Sequence, residues 1–375
     1  MPTNTAAWLD SPYGDLVVRP APYPTPGPDE LVLHNRAIAV NPLDTVKQST
    51  GDLMYRWLPY PAILGEDVAG VVVEVGASVT RFAVGDRVLA YAVGMEKGRN
   101  HSAEGGFQEY SVVRSQLAAP VPDHMSLLDA AVLPLGVSTA ASALFQRDQI
   151  GLRHPTSPTT STGEVLVVWG ASTSVGSNAV QLAVAAGYEV VATASPHNHD
   201  RVRRLGAGIV LDYASPTVVE DVVAALRGRT VAGVLAIGTG SAEPAVAIAI
   251  GTGARRVSMA SPSVSFGSLP RRRGPSLALA RLGLRLVAGN VALQVRCRAR
   301  GIRARFVWGS SLMTNEVGPM LWQDFLPAAL AEGRYVPAPE ARVVGSGLDE
   351  VQAALDTLRA GVSAQKLVVT LGPDE

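Results

Sequence analysis

The chain has a single cysteine, Cys297, in 375 residues. An internal disulfide is therefore impossible, and so is a zinc cage built from several cysteines. One cysteine suits a reducing compartment, and the cytoplasm is the expected location. Lysine is scarce as well: Lys47, Lys97 and Lys366 are the whole complement, so arginine supplies nearly all the positive charge. There is no charge excess of either sign, the formal net charge being +0, which argues against nucleic acid as the main partner. The first residues, M-P-T-N-T-A-A-W-L-D, carry neither a basic region nor an apolar run, so no signal peptide is expected. No apolar stretch reads as the roughly 18 residues that cross a bilayer, and no membrane partner is expected.

What is present is a large apolar fraction, 47%, beside 17% charged residues, enough for a sizeable core in a chain long enough for two domains. Residues 1–125 read as all-β: short β-branched runs at Glu30–Leu33, Val68–Val75, Arg87–Ala90 and Gln108–Val113 alternate with Pro and Gly punctuation. From Ser126 the pattern turns helical, with Ser126 as cap, Asp129 three residues on, and an apolar run through Phe145. Residues 153–163 are a Pro/Ser/Thr loop. Strands and helices then alternate, with strands expected at 165–169, 188–194, 208–211, 232–237 and 255–260, the signature of a parallel sheet covered by helices. Residues 270–305 read as irregular and hold ten arginines, from Arg271-Arg272-Arg273 to Arg305. Helices are expected at 320–333 and 348–360, and a closing strand at 366–371.

The most informative stretch is 165–198: a strand V-L-V-V-W, a turn G-A-S-T-S-V-G, a helix, and a second strand ending in Ser195-Pro196-His197-Asn198. A small-residue turn lets backbone N–H groups approach a phosphate, and the following helix presents its positive end to the same anion. Gly170, Ser172, Thr173, Ser174, Val175 and Gly176 occupy that turn, although the middle glycine of G-x-G-x-x-G is missing. Enzymes that use NAD place a carboxylate at the end of the second strand to hold the ribose 2′-hydroxyl. That position is neutral here, and Arg201 follows. Hydroxyl, amide and guanidinium donors suit a 2′-phosphate, so NADPH is the expected cofactor. The opposing reading gives the ribose to Asp200 and leaves Arg201 as a solvated charge.

Over nearly its whole length the chain resembles the zinc-independent branch of the medium-chain dehydrogenase/reductase superfamily, the quinone oxidoreductases and trans-acting enoyl reductases. The likeness is carried by N-P-L-D (41–44), P-A-I-L-G-E-D-V-A-G-V-V-V-E-V-G (61–76), F-A-V-G-D-R-V (82–88), E-G-G-F-Q-E-Y (104–110), L-P-L-G-V-S-T-A (133–140) and Q-K-L-V-V (365–369). It implies an α/β fold: a GroES-like β-barrel catalytic domain over 1–125, completed by 335–375, and a Rossmann doubly wound parallel sheet over 126–334. Carried over by position, it implies cofactor contacts at Asp44, Thr45 and Lys47, at Ser172 and Thr173, at Ser195, His197 and Asn198, and at Tyr213, Ile237, Gln365 and Lys366. Substrate contacts fall at Leu135, Gly136, Val137 and Thr139. Zinc-dependent relatives carry a cysteine near 41–44 and a histidine at the position of Glu66; this chain has neither, so no metal is expected.

Without a metal to stabilise an alkoxide, the resemblance implies hydride addition to an activated C=C of an enoyl thioester, enone or quinone in secondary metabolism, because the substrate carbonyl spreads the developing charge. Candidate catalytic groups are Thr139, Ser138, Lys47 and Tyr55, each weighed against a plain structural role. Lys47 is one place away from the lysine of many relatives. The substrate is a small molecule or an acyl thioester, with an acyl carrier protein or polyketide synthase as partner. A redox-neutral cyclase or isomerase on the same NADP-binding fold is the alternative, and a non-catalytic nucleic-acid-binding relative is a third. The arginine-rich segment reads either as a docking face for an acidic carrier protein, a lid, or a solvated helix, with Arg281 and Arg285 four apart.

Overall fold

The computed structural model describes residues 2–261 and 277–372. Among these, the chain divides into two compact units: residues 2–135 with 318–372, and residues 136–261 with 277–317.

The first unit is built on two sheets that are antiparallel except for one edge, where Glu340–Ser346 pairs parallel with Gln365–Thr370. One has three strands in the order Leu16–Ala21, Asn4–Leu9, Ala62–Ile63. The other runs Glu340–Ser346, Gln365–Thr370, Glu30–Ala39, Asp67–Val75, Arg87–Tyr91, Ala118–Pro120, with Tyr110–Arg114 also pairing to Glu30–Ala39. The penultimate stretch of the chain thus enters the sheet of the first: Val368 pairs with Ala39 and Thr370 with Ala37. The long strand Glu30–Ala39 holds the centre because most of its side chains are buried. Gly70 is required beside it, since a Cβ there would stand 2.2 Å from the carbonyl oxygen of His34.

The second unit is a six-stranded, all-parallel sheet in the order Ile209–Asp212, Glu189–Ala194, Glu164–Trp169, Thr230–Ala236, Arg256–Met259, Arg303–Phe306. The run V-L-V-V-W is buried at every position, as a strand covered on both faces requires. The order in which the chain lays down its strands reverses between Glu164–Trp169 and Thr230–Ala236, all strands keeping one direction. Val167, Val191, Val222, Val246, Val257 and Cys297 belong to one buried cluster of this unit.

The fold class expected from the sequence is the one observed, and the five expected strands of the parallel sheet lie within two residues of the observed ones at either end. Four expectations need correction. Residues 1–125 are not all-β, since Pro42–Thr50 form a nine-residue helix. Residues 270–305 are not irregular throughout: 277–299 form a 23-residue helix and Arg303–Phe306 a sixth strand, while Arg271–Arg273 lie outside the described residues. Leucine and valine on both the inner and the outer side of that helix hide its periodicity, and arginines in an edge strand hide the other. A further strand, Glu340–Ser346, was not anticipated. Finally, the stretch 127–145 does reach the length and mean hydropathy (1.6) of a membrane span, but 89% of it is buried, so it belongs to the protein core.

Candidate functional site

In the parallel unit, the carboxyl ends of adjacent strands bring together residues far apart in the chain. Gly170 follows the strand Glu164–Trp169, Ser195 follows Glu189–Ala194, Tyr213 follows Ile209–Asp212, and Ile237 follows Thr230–Ala236. In open parallel sheets that edge, at the reversal of strand order, is where ligands bind. Gly170 has φ +83°, and a Cβ would meet the Ile237 carbonyl oxygen at 2.5 Å. Only glycine supplies both the left-handed backbone and the close approach. The Gly170 N–H is held by Thr193 Oγ1 at 3.2 Å and the Ala171 N–H by the Thr193 carbonyl at 2.9 Å.

Thr173 caps the helix Ser174–Ala185: its Oγ1 accepts from Gly176 N–H at 3.1 Å and donates to the Gly170 carbonyl at 2.8 Å. Gly176 lets helix and strand close together, since a Cβ would stand 2.3 Å from the Gly170 oxygen. Ser172, Thr173, Ser174 and Val175 are half-buried around this turn. The Ser174 hydroxyl is buried and has no hydrogen-bond partner among the described residues. That hydroxyl faces Gly136; the small-residue turn and the helix start behind it are of the kind that fits a dinucleotide pyrophosphate.

At the end of the second strand, Ser195 is half-buried, Pro196 and His197 are exposed and Asn198 is buried. Pro196–Asn198 form a 3-10 turn, and the Asn198 N–H bonds the Ser195 carbonyl at 2.9 Å. Arg201 lies half-buried on the next helix, His199–Arg204. The nearby acid Asp200 points to solvent and pairs with Arg203 at 2.9 Å. Tyr213 is 48% exposed.

On the helix Pro134–Phe145, Gly136 packs against the start of Ser174–Ala185, a Cβ there meeting Ser174 Oγ at 2.4 Å. Val137 and Ser138 are fully buried, and the Ser138 hydroxyl lacks a partner among the described residues. Thr139 is almost buried, its Oγ1 against the backbone of Gly309.

The first unit holds a buried polar cluster around the motifs N-P-L-D and G-E-D-V. The Lys366 ammonium donates to Asp67 Oδ2 at 2.6 Å and to Asn41 Oδ1. Asp67 also accepts from Asn41 Nδ2 at 2.8 Å and from the Leu135 N–H at 2.6 Å, which fixes the entry to the apolar helix. Asp44 is fully buried and accepts from the Asn41 N–H at 2.7 Å, capping its own helix Pro42–Thr50. Burial pushes its pKa up to about 7; the Asn41 N–H opposes that, the Asp67 charge adds to it and the Lys366 charge opposes it. Glu66 is fully buried, with its pKa raised well above the usual range by burial and then by the charges of Asp44, Glu96 and Asp67. Tyr91 donates to Oε1 at 3.5 Å, and Oε2 has no partner among the described residues.

The other expected residues of this unit are structurally engaged. Thr45 donates to the Pro42 carbonyl at 2.7 Å. The Lys47 ammonium donates to the Tyr55 carbonyl at 2.7 Å and to Asp52 at 2.8 Å, and lies 4.2 Å from the centre of the Tyr60 ring. Tyr55 is buried edge-on to Trp57, with its phenol pKa raised first by burial and then by Glu66. Gln365 is exposed. The residues that sequence reasoning missed are Asn41 and Asp67, which organise the cluster. Their signal was present: two successive acids open an otherwise apolar strand.

Zinc does not suit this donor set. Among the described residues no group of three or more His, Cys, Asp or Glu side chains is arranged to hold a metal. Asp67 is engaged by Lys366, and position 41 offers an amide.

Comparison with known proteins accords with this architecture. Residues 27–123 match the alcohol dehydrogenase GroES-like domain. The chain is 47% identical over 374 residues to the dehydrogenase pigH of Monascus ruber, covering 99% of this chain and 100% of that protein. It is 39% identical over 375 residues to the trans-enoyl reductase himH of Aspergillus japonicus, covering 99% and 98%. A solved alcohol dehydrogenase superfamily protein from Novosphingobium aromaticivorans superposes with a TM-score of 0.69 at 26% identity, covering 99% of this chain and 100% of that one. With a nicotinamide-type cradle at the edge of a parallel sheet and a GroES-like unit beside it in sequence, the chain belongs to the medium-chain dehydrogenase/reductase family of oxidoreductases.

Proposed function

We propose that the protein is an NADPH-dependent reductase that works without zinc and reduces an activated C=C, in an enoyl thioester, an enone or a quinone, in secondary metabolism. The single observation that carries the cofactor choice is the end of the second parallel strand. Ser195, His197 and Asn198 offer only neutral or cationic groups, Arg201 follows, Asp200 is paired with Arg203, and Asp212 at the end of the adjacent strand accepts from the Ala214 N–H. A 2′-phosphate finds donors on this segment, and the segment Ser195–Asn198 itself carries no carboxylate. The reading of the substrate class is supported by relatives named trans-enoyl reductases at 39% and 34% identity.

When bound, the nicotinamide supplies a hydride. The chain's part is to bind and orient. The turn Gly170–Val175 and the helix start behind it would hold the pyrophosphate, with Tyr213 and Ile237 lining the same sheet edge. Thr139 and Ser138, on the helix Pro134–Phe145, are the hydroxyl donors proposed for the substrate carbonyl, where charge builds as the C=C is reduced. The unspent Ser138 hydroxyl supports this. Lys47 and Tyr55 are held by interactions inside their own unit and are better read as positioning residues.

The test is NADPH and NADH binding by fluorescence titration, with oxidation assayed on the three substrate types. NADPH is expected to bind at least tenfold tighter. Arg201→Ala is expected to weaken NADPH by roughly ten- to a hundredfold, as loss of a charge-assisted hydrogen bond predicts, while changing NADH binding little. A preference for NADH, or no turnover of any of the three substrates, refutes the proposal.

A further inference from the structure

The chain is neutral overall, but its charge is unevenly spread. Residues 244–315 contain twelve arginines and no aspartate, glutamate or lysine. The 23-residue helix Leu277–Ala299 lies in the middle of this stretch. Its inner side is ordinary: Leu293 and Cys297 are buried in the core of the parallel unit with Val257, Ile302 and Ala304. Its outer side is not. Leu284, Val287, Val291 and Val295 are 70%, 64%, 58% and 60% exposed. At about 100° per residue these four fall within an arc of about 80°, so they form one aliphatic row on the face opposite the core. Exposed arginines stand at its two ends, Arg281 and Arg298.

Four occupants of such a row can be compared. A second copy of the chain would set the same acid-free stretch against itself, arginine to arginine. Nucleic acid would match the arginines but leave the aliphatic row unsatisfied. A folded acidic protein would match the charge, but its tight binding rests on aromatic anchors seated in pockets, and this helix offers a convex row with neither. An anionic lipid surface matches every feature: aliphatic side chains enter the acyl boundary, the long arginine stems reach the phosphates, and no shape complementarity is needed. An expectation of no membrane contact rested on the lack of a spanning segment, which peripheral attachment does not require.

We propose that the outer face of the helix Leu277–Ala299 lies in the headgroup region of anionic membranes and holds the protein at their surface through Leu284, Val287, Val291 and Val295, with Arg281 and Arg298 on lipid phosphates. This inference is independent of the reductase reading.

The experiment is co-sedimentation of the full chain with vesicles of phosphatidylcholine alone and of phosphatidylcholine with phosphatidylserine, with melting temperature and NADPH oxidation measured in parallel. The wild type is expected to bind the anionic vesicles at least tenfold better, and less as salt is raised. Leu284→Asp with Val291→Asp is expected to abolish binding at an unchanged melting temperature, because both side chains project away from the core. Arg281→Gln with Arg298→Gln, a pair that leaves the apolar row intact, is expected to weaken binding about thirtyfold. Equal binding to both vesicle types overturns the proposal, as does no binding, or full binding by either double variant. A wild-type dimer that the aspartate variant turns into a monomer would also overturn it, by assigning the face to a second copy.

Discussion

Replacing Lys366 with methionine tests the buried cluster that organises the first unit. The ion pair to Asp67 is 2.6 Å long, between side chains 5% and 0% exposed. At an effective dielectric of about 20, that separation corresponds to roughly 6 kcal/mol of attraction. Desolvation of the two ions costs several kcal/mol each, so the intact pair nets little against an apolar replacement of both partners. Removing only the lysine is different. Asp67 keeps its bonds from Asn41 and from the Leu135 N–H, but its charge is left without a cation beside Asp44. Breaking one side of a buried pair costs about 3–5 kcal/mol, and Lys366→Met is expected to fall in that range in urea unfolding at pH 7. Asp67→Asn keeps an acceptor for Leu135 but strands the ammonium, and is expected to cost a similar amount. The double variant should be more stable than either single one, with a coupling energy of at least about 2 kcal/mol. If Lys366→Met costs under about 1 kcal/mol, or the coupling is near zero, then Asn41 and Leu135 satisfy Asp67 by themselves and the account of the cluster is wrong.

Two other expectations follow from the same physics. Glu66 has a folded-state pKa above its unfolded value, so the wild type loses stability as pH rises from about 4.3, at about 1.4 kcal/mol per pH unit, until the folded pKa is passed. Glu66→Gln does not titrate; it should match the wild type near pH 4 and gain on it as pH rises above that, and parallel stability curves would show that the folded-state pKa is not raised. Thr173→Ala removes the cap on Gly176 and the bond to Gly170, and should cost about 1 kcal/mol by denaturation together with a loss of NADPH affinity; unchanged affinity would remove the turn from the cofactor site.

How legible each part was depends on the range of the interactions involved. The parallel strands were readable because each is a short buried run with its own local pattern, and only their ends moved, as helix and strand termini do. The cradle was readable because its requirements are local as well: a positive φ at Gly170, a capping hydroxyl at Thr173 and a close approach at Gly176 lie within seven residues. The edge strand Arg303–Phe306 was not readable. It has one neighbour, Arg256–Met259, and its exposed arginines look like loop residues until that pairing exists. The roles of Asn41 and Lys366 were hidden for a similar reason, since the two side chains that meet are 325 positions apart.

The sequence by itself determined the two-part α/β class, the strand–turn–helix at 165–185 and the exclusion of an internal disulfide, because helix and strand periodicity, turn chemistry and composition act over a few residues. Only the tertiary structure decided which buried charges meet, that Asp44 and Lys47 are tied into their own unit, that burial raises the pKa of Glu66, and that Leu284, Val287, Val291 and Val295 of an arginine-rich helix are exposed. Charge state and exposure are properties of surroundings. They are set by desolvation and by partners that the fold, and nothing along the local chain, brings within a few ångströms.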